Sequence, residues 1–162
     1  MPALPDFRLE THFAKWEFSA RYHMTASDAE SMSLPDLLSY ATAEDRAAYE
    51  NMWLGYTETF GAPDLRDVIA ATYATQTAPN ILCFAGASEG IFAATTVLLD
   101  QSSHAIVVTP NYQSHESLPL AICEATGVPL DPDDGWSLDI DRVARAIRPN
   151  TRLLTINFPH NP

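Results

Sequence analysis

The chain has 162 residues, enough for one domain with a hydrophobic core, and its apolar fraction of 46% and charged fraction of 19% are typical of folded, soluble proteins. Its net charge of −12 argues against nucleic acid or an anionic membrane as the main partner. We expect a cytoplasmic protein, because no apolar run reaches the length of a membrane span and the N-terminus lacks the pattern of a signal peptide.

The first third of the chain predicts an arm followed by short helices. Residues 2–30 are rich in aromatic side chains without sustained helical periodicity, so we expect an irregular arm that packs on another part of the protein. Ser33 and Thr42 each stand three positions before an aspartate, which is a capping pattern. We expect the helix after Thr42 to end at Gly55, and Pro63 to begin a further amphipathic helix.

The stretch 81–92 has the pattern of a buried strand, a glycine turn and a helix. The apolar run 81–85 predicts the strand, and apolar residues recur at helical spacing after the turn. The turn would lie at a helix N-terminus, where unpaired N–H groups and the helix dipole favour an anion. This pattern predicts a phosphate site between Gly86 and Ser88.

The same turn allows two other interpretations. Gly86-Ala87-Ser88-Glu89-Gly90 also matches G-x-S-x-G, the nucleophile elbow of serine hydrolases, which would make Ser88 a nucleophile. Such an enzyme needs a histidine later in the chain, and the candidates His104, His115 and His160 lie in no supporting motif. The third interpretation is a capped helix without a ligand, since short motifs often occur by chance.

Strands and helices alternate after this turn, which predicts a parallel sheet built from β-α-β units. The runs 105–109 and 153–157 predict core strands, and 128–130 predicts a short edge strand because its proline cannot donate a ladder hydrogen bond. Helical patterns before Gly127 and over 139–148 connect these strands. The predicted fold class is α/β, with a mostly parallel sheet covered by helices on both faces.

Three loops are expected at the carboxyl ends of the strands, where parallel sheets bind ligands. These loops, 86–88, 110–115 and 158–162, offer the phosphate turn, the ring of Tyr112 and the amide of Asn161. Together they suit a planar, phosphorylated cofactor. No set of histidine, cysteine or acidic residues has the spacing of a metal site, so none is predicted.

With these residues in place, the chain resembles the pyridoxal-phosphate-dependent aminotransferases of fold type I, class I/II. The order and approximate spacing of the motifs agree from about residue 45 to 162. The final motif looks like the family's N-P-x-N-P-T-G. The segments that carry the resemblance are Tyr56 with Gly61, Leu65-Arg66, the turn 86–90, Pro110-Asn111-Tyr112 and Asn157-Phe158-Pro159-His160-Asn161-Pro162.

The resemblance implies a role for each matched residue in binding pyridoxal 5'-phosphate. Gly86, Ala87 and Ser88 would hold the phosphate. Tyr112 would stack on the pyridine ring, and Asn161 would donate a hydrogen bond to the phenolic oxygen. The implied substrates are an amino acid and a 2-oxo acid.

The resemblance also implies an organisation for the chain. Residues 1–41 would form an N-terminal arm and short helix on the side of the smaller domain, and 42–162 the first part of the cofactor-binding large domain. Tyr56 would reach the cofactor phosphate of a partner subunit, which implies a homodimer.

The family's Schiff-base lysine follows the asparagine motif, whereas the only lysine of this chain is Lys15. We therefore expect no catalytic residue among the 162, and expect the chain to be a truncated N-terminal portion of an aminotransferase that is inactive alone. The alternatives are a hydrolase that uses Ser88 or a non-catalytic remnant.

Overall fold

A computed structural model describes residues 4–161, which divide into two compact units. One unit contains residues 4–27 and 85–161, and the other is Asp28–Phe84. No helix among the described residues is long and apolar enough to cross a membrane. The elements in chain order are α1 (Arg8–Trp16), α2 (Leu34–Ser39), α3 (Ala43–Glu50), α4 (Pro63–Ala71), α5 (Ala87–Leu98), β1 (His104–Thr109), α6 (Gln113–Ile122), β2 (Glu124–Pro129), α7 (Ile140–Ala146) and β3 (Thr151–Thr155).

The three strands form one parallel sheet in the order β2-β1-β3, which confirms the predicted α/β class. His104 of β1 lies opposite Glu124 of β2, and Ala105 lies opposite Leu153 of β3. All residues of β1 except Thr109 are buried. Because both neighbours are parallel to β1, the carboxyl ends of all three strands lie at the same edge of the sheet.

His104, at the start of β1, is buried and hydrogen-bonds to both neighbouring strands. Its Nδ1 lies 2.8 Å from Thr151 Oγ1 and its Nε2 lies 2.9 Å from Thr126 Oγ1. Burial lowers the pKa of His104, the Arg148 guanidinium lowers it further, and the Glu124 carboxylate opposes them. A neutral imidazole donates through one nitrogen and accepts through the other, so it can bond both threonine hydroxyls.

The predicted strand over 81–85 is wrong. Residues 81–84 belong to no strand, although the backbone of Ile81 is extended. The Arg66 guanidinium donates to the carbonyl of Ile81 at 3.2 Å, and the N–H of Cys83 donates to the carbonyl of Phe60 at 3.0 Å. These contacts bind the backbone of the segment in place of a strand ladder, a distinction that a short apolar run does not reveal.

The N-terminal arm contains a helix, α1, where an irregular segment was predicted. Leu9, Phe13 and Trp16 recur at i, i+4 and i+7, which is helical spacing over two turns. The N-cap residue is Phe7, which makes no side-chain capping hydrogen bond. The usual signal for a helix start is therefore missing from the sequence.

The predicted helix starts in the unit Asp28–Phe84 are confirmed. The side chain of Ser33 accepts from the N–H of Asp36, and Thr42 forms a complete capping box with Asp45. Pro63 begins α4 as predicted. The predicted end of α3 is wrong, because the helix ends at Glu50 rather than at Gly55.

The helix after Tyr112 was predicted to reach Gly127, but α6 ends at Ile122. The edge strand is correspondingly longer than the predicted 128–130, since β2 begins at Glu124. Alanine, threonine and glycine in this stretch carry little apolar periodicity, and only pairing with β1 makes it a strand.

Pro119 lies inside α6 and cannot donate a hydrogen bond to the carbonyl of His115, one turn earlier. Thr155 Oγ1 of β3 donates to that carbonyl oxygen at 3.4 Å. The acceptor that the proline leaves free therefore links α6 to the sheet.

We predict that His104→Gln flattens the dependence of stability on pH below about pH 6.5. The lowered pKa of His104 means that the unfolded chain binds a proton in this range while the folded chain does not. Stability therefore falls as pH falls from the unfolded pKa towards the folded one. Urea denaturation between pH 8 and pH 5 should show a slope smaller by up to about one proton in the variant. The exposed His12, as His12→Gln, is the control, and an unchanged slope in His104→Gln would contradict this role.

Candidate active site

The N-terminus of α5 is an open turn with free backbone donors. Gly86 has φ +121°, a conformation that favours glycine, and a Cβ built there meets no atom within 4 Å. The first N–H groups of a helix, here those of Ala87 and Ser88 among them, have no intrahelical acceptor, and no side chain caps this helix in their place. The Glu89 carboxylate accepts from the N–H of Ala85 at 2.7 Å, outside the helix. This donor set and open space fit a phosphate group.

Asn111 fixes the turn that carries Tyr112 beyond the end of β1. Its carboxamide donates to the carbonyl of Val108 at 3.0 Å and accepts from the N–H of Tyr112 at 2.8 Å. The N–H of Asn111 donates to the Glu116 carboxylate at 2.8 Å. The turn is therefore held at both ends, by the strand before it and by the helix after it.

The ring of Tyr112 is half-buried and packs against two other rings. The Phe7 ring lies 5.2 Å away at 55°, and the His115 ring lies 6.1 Å away at 82°, edge-on. His115 Nδ1 lies 3.2 Å from the carboxamide oxygen of Asn111, which can only accept, so this nitrogen carries the proton. Burial lowers the pKa of His115 and favours the neutral ring. Such a fixed ring can serve as a stacking platform.

Asn161 follows β3 and is held by two contacts. Its carboxamide oxygen accepts from Ser27 Oγ at 3.2 Å, and its backbone carbonyl accepts from the Asn157 carboxamide. With its oxygen bonded to Ser27, the side chain keeps its NH₂ group as a donor. Pro162, which ends the predicted motif, lies outside the described residues.

The sheet places two of the predicted site loops at one edge. β1 and β3 are parallel neighbours, and Tyr112 and Asn161 follow their carboxyl ends. The turn 86–88 belongs to the same unit, in which α5 contacts both α6 and β3. Tyr56 belongs to the other unit and is fully exposed.

Lys15, the only lysine of the sequence, lies in α1 and in none of the three predicted site loops. Its Nζ is 4.7 Å from the centre of the Trp16 ring. Within residues 4–161, no group of histidine, cysteine and acidic side chains is placed to hold a metal ion.

The geometry does not support a serine hydrolase. Among residues 4–87, which the structure describes, no strand precedes Ser88, although a nucleophile elbow requires one. The ring nitrogens of His104 are bound by two threonines, and Nδ1 of His115 is bound by Asn111. None of these contacts links a histidine to Ser88.

Three residues that shape this edge are not predicted as site residues by the sequence: Phe7, Ser27 and Gln113. Phe7 contacts Tyr112, Ser27 contacts Asn161, and Gln113 bonds the backbone of the arm. The only signal in the sequence was the aromatic character of the arm, which predicted packing but not a partner.

We predict that Asn111→Ala destabilises the protein by about 2 kcal/mol, because it leaves half-buried backbone groups of the turn without partners. Asn150→Ala is the control in the same unit, since Asn150 makes one exposed side-chain bond, to the carbonyl of Ser102. It should cost less than about 1 kcal/mol. Urea denaturation measures both, and equal losses would show that Asn111 does not hold the turn.

Comparison with known proteins places this chain in a family. A family model described as aminotransferase class I and II matches residues 26–162. The chain is 40% identical over 85 residues to the probable N-succinyldiaminopimelate aminotransferase DapC of Mycobacterium tuberculosis, covering 51% of this chain and 21% of that protein. It is 28% identical over 163 residues to capreomycidine synthase of Streptomyces vinaceus, covering 99% of this chain and 42% of that protein.

A solved structure agrees with the fold. The PLP-dependent aminotransferase from Streptococcus suis 89-1591 matches with a TM-score of 0.89 at 25% identity, covering 98% of this chain and 44% of that one. The chain thus spans less than half the length of each of these three relatives.

These findings confirm the predicted resemblance and give no support to a hydrolase. The cofactor of the family is pyridoxal phosphate, in agreement with the phosphate-fitting turn of α5. The chain belongs to the class I and II aminotransferase family.

Proposed function

We propose that this chain is the N-terminal portion of a pyridoxal-phosphate-dependent aminotransferase that moves an amino group between an amino acid and a 2-oxo acid. The observation that carries the proposal is the uncapped N-terminus of α5 at Gly86, in the same unit as the ring of Tyr112 and the amide of Asn161. When bound, the cofactor supplies an electron sink for carbanion chemistry at the amino acid.

The turn of α5 would bind the cofactor phosphate. The backbone N–H groups of Ala87 and Ser88 and the Ser88 hydroxyl are donors, and the helix dipole adds partial positive charge. Gly86 would admit the phosphate because a side chain there would occupy the open space before the helix.

Tyr112 and Asn161 would orient the cofactor ring. Tyr112 offers an aromatic face that Asn111 and His115 hold in place. Asn161 would donate through its NH₂ group to the phenolic oxygen, since Ser27 binds its carboxamide oxygen. We assign no catalytic residue within the chain, because Lys15 lies in the arm and contacts Trp16.

The proposal includes the organisation that the resemblance implies. Residues 1–41 would lie on the side of the smaller domain, and 42–162 would begin the cofactor-binding domain. We also propose a cytoplasmic location, which the free thiols of Cys83 and Cys123 support, since exported proteins more often pair their cysteines.

We further propose a homodimer in which Tyr56 reaches the partner's cofactor phosphate. The support is a run of exposed apolar side chains around this residue: Trp53 is 83% exposed, and Leu54 and Tyr56 exceed 90%. Adjacent exposed aromatic and aliphatic groups mark an interaction surface.

A synthase reaction on an amino acid, with the same cofactor, is the second candidate. Its support is the sequence match to capreomycidine synthase, which extends over 99% of this chain at 28% identity. Mass spectrometry of the products separates the two, because only transamination converts an added 2-oxo acid into an amino acid.

We predict that the protein expressed from this gene binds pyridoxal phosphate and that Ser88→Ala weakens the binding roughly tenfold, the effect of losing one hydrogen bond to a charged group. Absorption titration measures the affinity, and borohydride reduction followed by peptide mapping locates the modified lysine, which should not be Lys15. Ser102→Ala is the control, because Ser102 lies before the amino end of β1, at the opposite edge of the sheet. Absence of binding would refute the proposed function.

The dimer has a separate test. Sedimentation should give twice the subunit mass, and Trp53→Glu should shift the protein towards monomers by placing a charge on the apolar surface. Trp136→Glu, at a loop tryptophan that is 56% exposed, should leave the mass unchanged. A monomeric wild-type protein would overturn the assignment of Tyr56.

A further inference from the structure

The side chain of Gln113 binds the backbone of the N-terminal arm on both sides of Phe7. Its carboxamide oxygen accepts from the N–H of Arg8 at 2.9 Å, and its NH₂ group donates to the carbonyl of Asp6 at 2.8 Å. One carboxamide thus supplies both an acceptor and a donor to the arm, as the C=O and N–H of a residue in a neighbouring strand do. One side chain from α6 thus determines where residues 6–8 lie.

These bonds also cap α1. Arg8 is the first residue of this helix, so its N–H has no intrahelical acceptor, and Phe7, the N-cap residue, has no side chain that accepts. Gln113 therefore serves as a capping group supplied by another helix. Its own position, the first residue of α6, is set by the Asn111 turn and the Glu116 contact.

Through Phe7, the two bonds of Gln113 also affect the surroundings of Tyr112. Phe7 lies between the two bonded residues, and its ring is 5.2 Å from the Tyr112 ring. The arm and α6 border a groove of about 860 Å³, lined by Phe7, Tyr112, Leu9, Arg8, His12 and Glu116 among others. The other backbone bonds of Phe7, from the N–H and Oγ1 of Thr11 to its carbonyl, lie within the arm and do not join it to α6.

We propose that Gln113 is a positioning residue: it latches the N-terminal arm to α6 and so keeps Phe7 against Tyr112. The link from this latch to cofactor retention rests on the proposed function, in which Tyr112 stacks on the cofactor ring. The latch itself depends only on Gln113, Asp6 and Arg8.

Two variants separate the bonds of the latch. Gln113→Leu removes both, whereas Gln113→Glu keeps an acceptor for Arg8 and loses the donor to Asp6. Glutamate is favourable in the first turn of a helix, so Gln113→Glu does not weaken α6. The control is Ser117→Ala on the same helix, because Ser117 Oγ donates to the Gln113 carbonyl and makes no bond to the arm.

Hydrogen exchange tests the latch in the protein expressed from its gene. In Gln113→Leu, the hydrogen-bonded amides of Arg8, Thr11 and His12 should exchange roughly tenfold faster, with a smaller effect in Gln113→Glu and none in Ser117→Ala. Unchanged exchange in Gln113→Leu would overturn the latch whether or not the protein binds a cofactor.

The release of bound pyridoxal phosphate after dilution tests the link to the site. It should be several-fold faster in Gln113→Leu than in Ser117→Ala, while the denaturation midpoints of the two variants stay close. Faster exchange with unchanged release would keep the latch and overturn its role at the cofactor. A protein that binds no pyridoxal phosphate would refute the proposed function, and the exchange result would still decide the latch.

Discussion

The central strand β1 is the constraint on which the rest of the sheet-containing unit depends. Its buried backbone pairs with β2 on one side and β3 on the other, and His104 adds a side-chain bond to each neighbour through Thr126 and Thr151. Burial lowers the pKa of this imidazole and favours the neutral ring, and its two hydroxyl partners join the starting segments of all three strands. The carboxyl ends are then fixed by register. The positions of Tyr112 and Asn161 follow from this pairing, because each stands a few residues beyond one of these strands.

At three places, side chains supply hydrogen bonds to backbone groups that a helix or a strand pairing leaves without a partner. Thr155 donates to the His115 carbonyl, which Pro119 leaves without a partner in α6. Arg66 donates to the carbonyl of Ile81. Gln113 bonds the backbone of the arm on both sides of Phe7. Each bond joins segments far apart in the chain, so these contacts place loops as well as satisfy polar groups. Two of these contacts, those of Thr155 and Gln113, involve α6, the helix that follows Tyr112. The strands therefore set the position of the site loops, and a few polar side chains hold the loops in place. Substitutions of these side chains change the loops without disturbing the core.

The sequence predicted those features that have a local cause. Ser33 and Thr42 cap helices because their hydroxyls reach an N–H three residues on, and the β-branched run 105–109 forms the central strand because it buries both faces. The family motifs were recognised for the same reason, as short segments of fixed spacing.

Features with a distant cause were missed. The arm helix α1 has no capping residue of its own and is capped by Gln113, 105 positions away. Residues 81–84 are as apolar as a strand, but Arg66 and Phe60 occupy backbone groups that a strand would use. The roles assigned to Gly86, Ala87, Ser88, Tyr112, Asn161 and Tyr56 remain predictions.

The central claim is that the N-terminus of α5 holds the phosphate of pyridoxal phosphate while Tyr112 faces its ring. A crystal structure of the protein expressed from this gene, grown with the cofactor, tests it most directly. We expect phosphate oxygens within hydrogen-bond distance of the Ala87 and Ser88 N–H groups and of Ser88 Oγ, with the pyridine ring stacked on Tyr112. A cofactor phosphate bound elsewhere, or a ring that does not contact Tyr112, would contradict it.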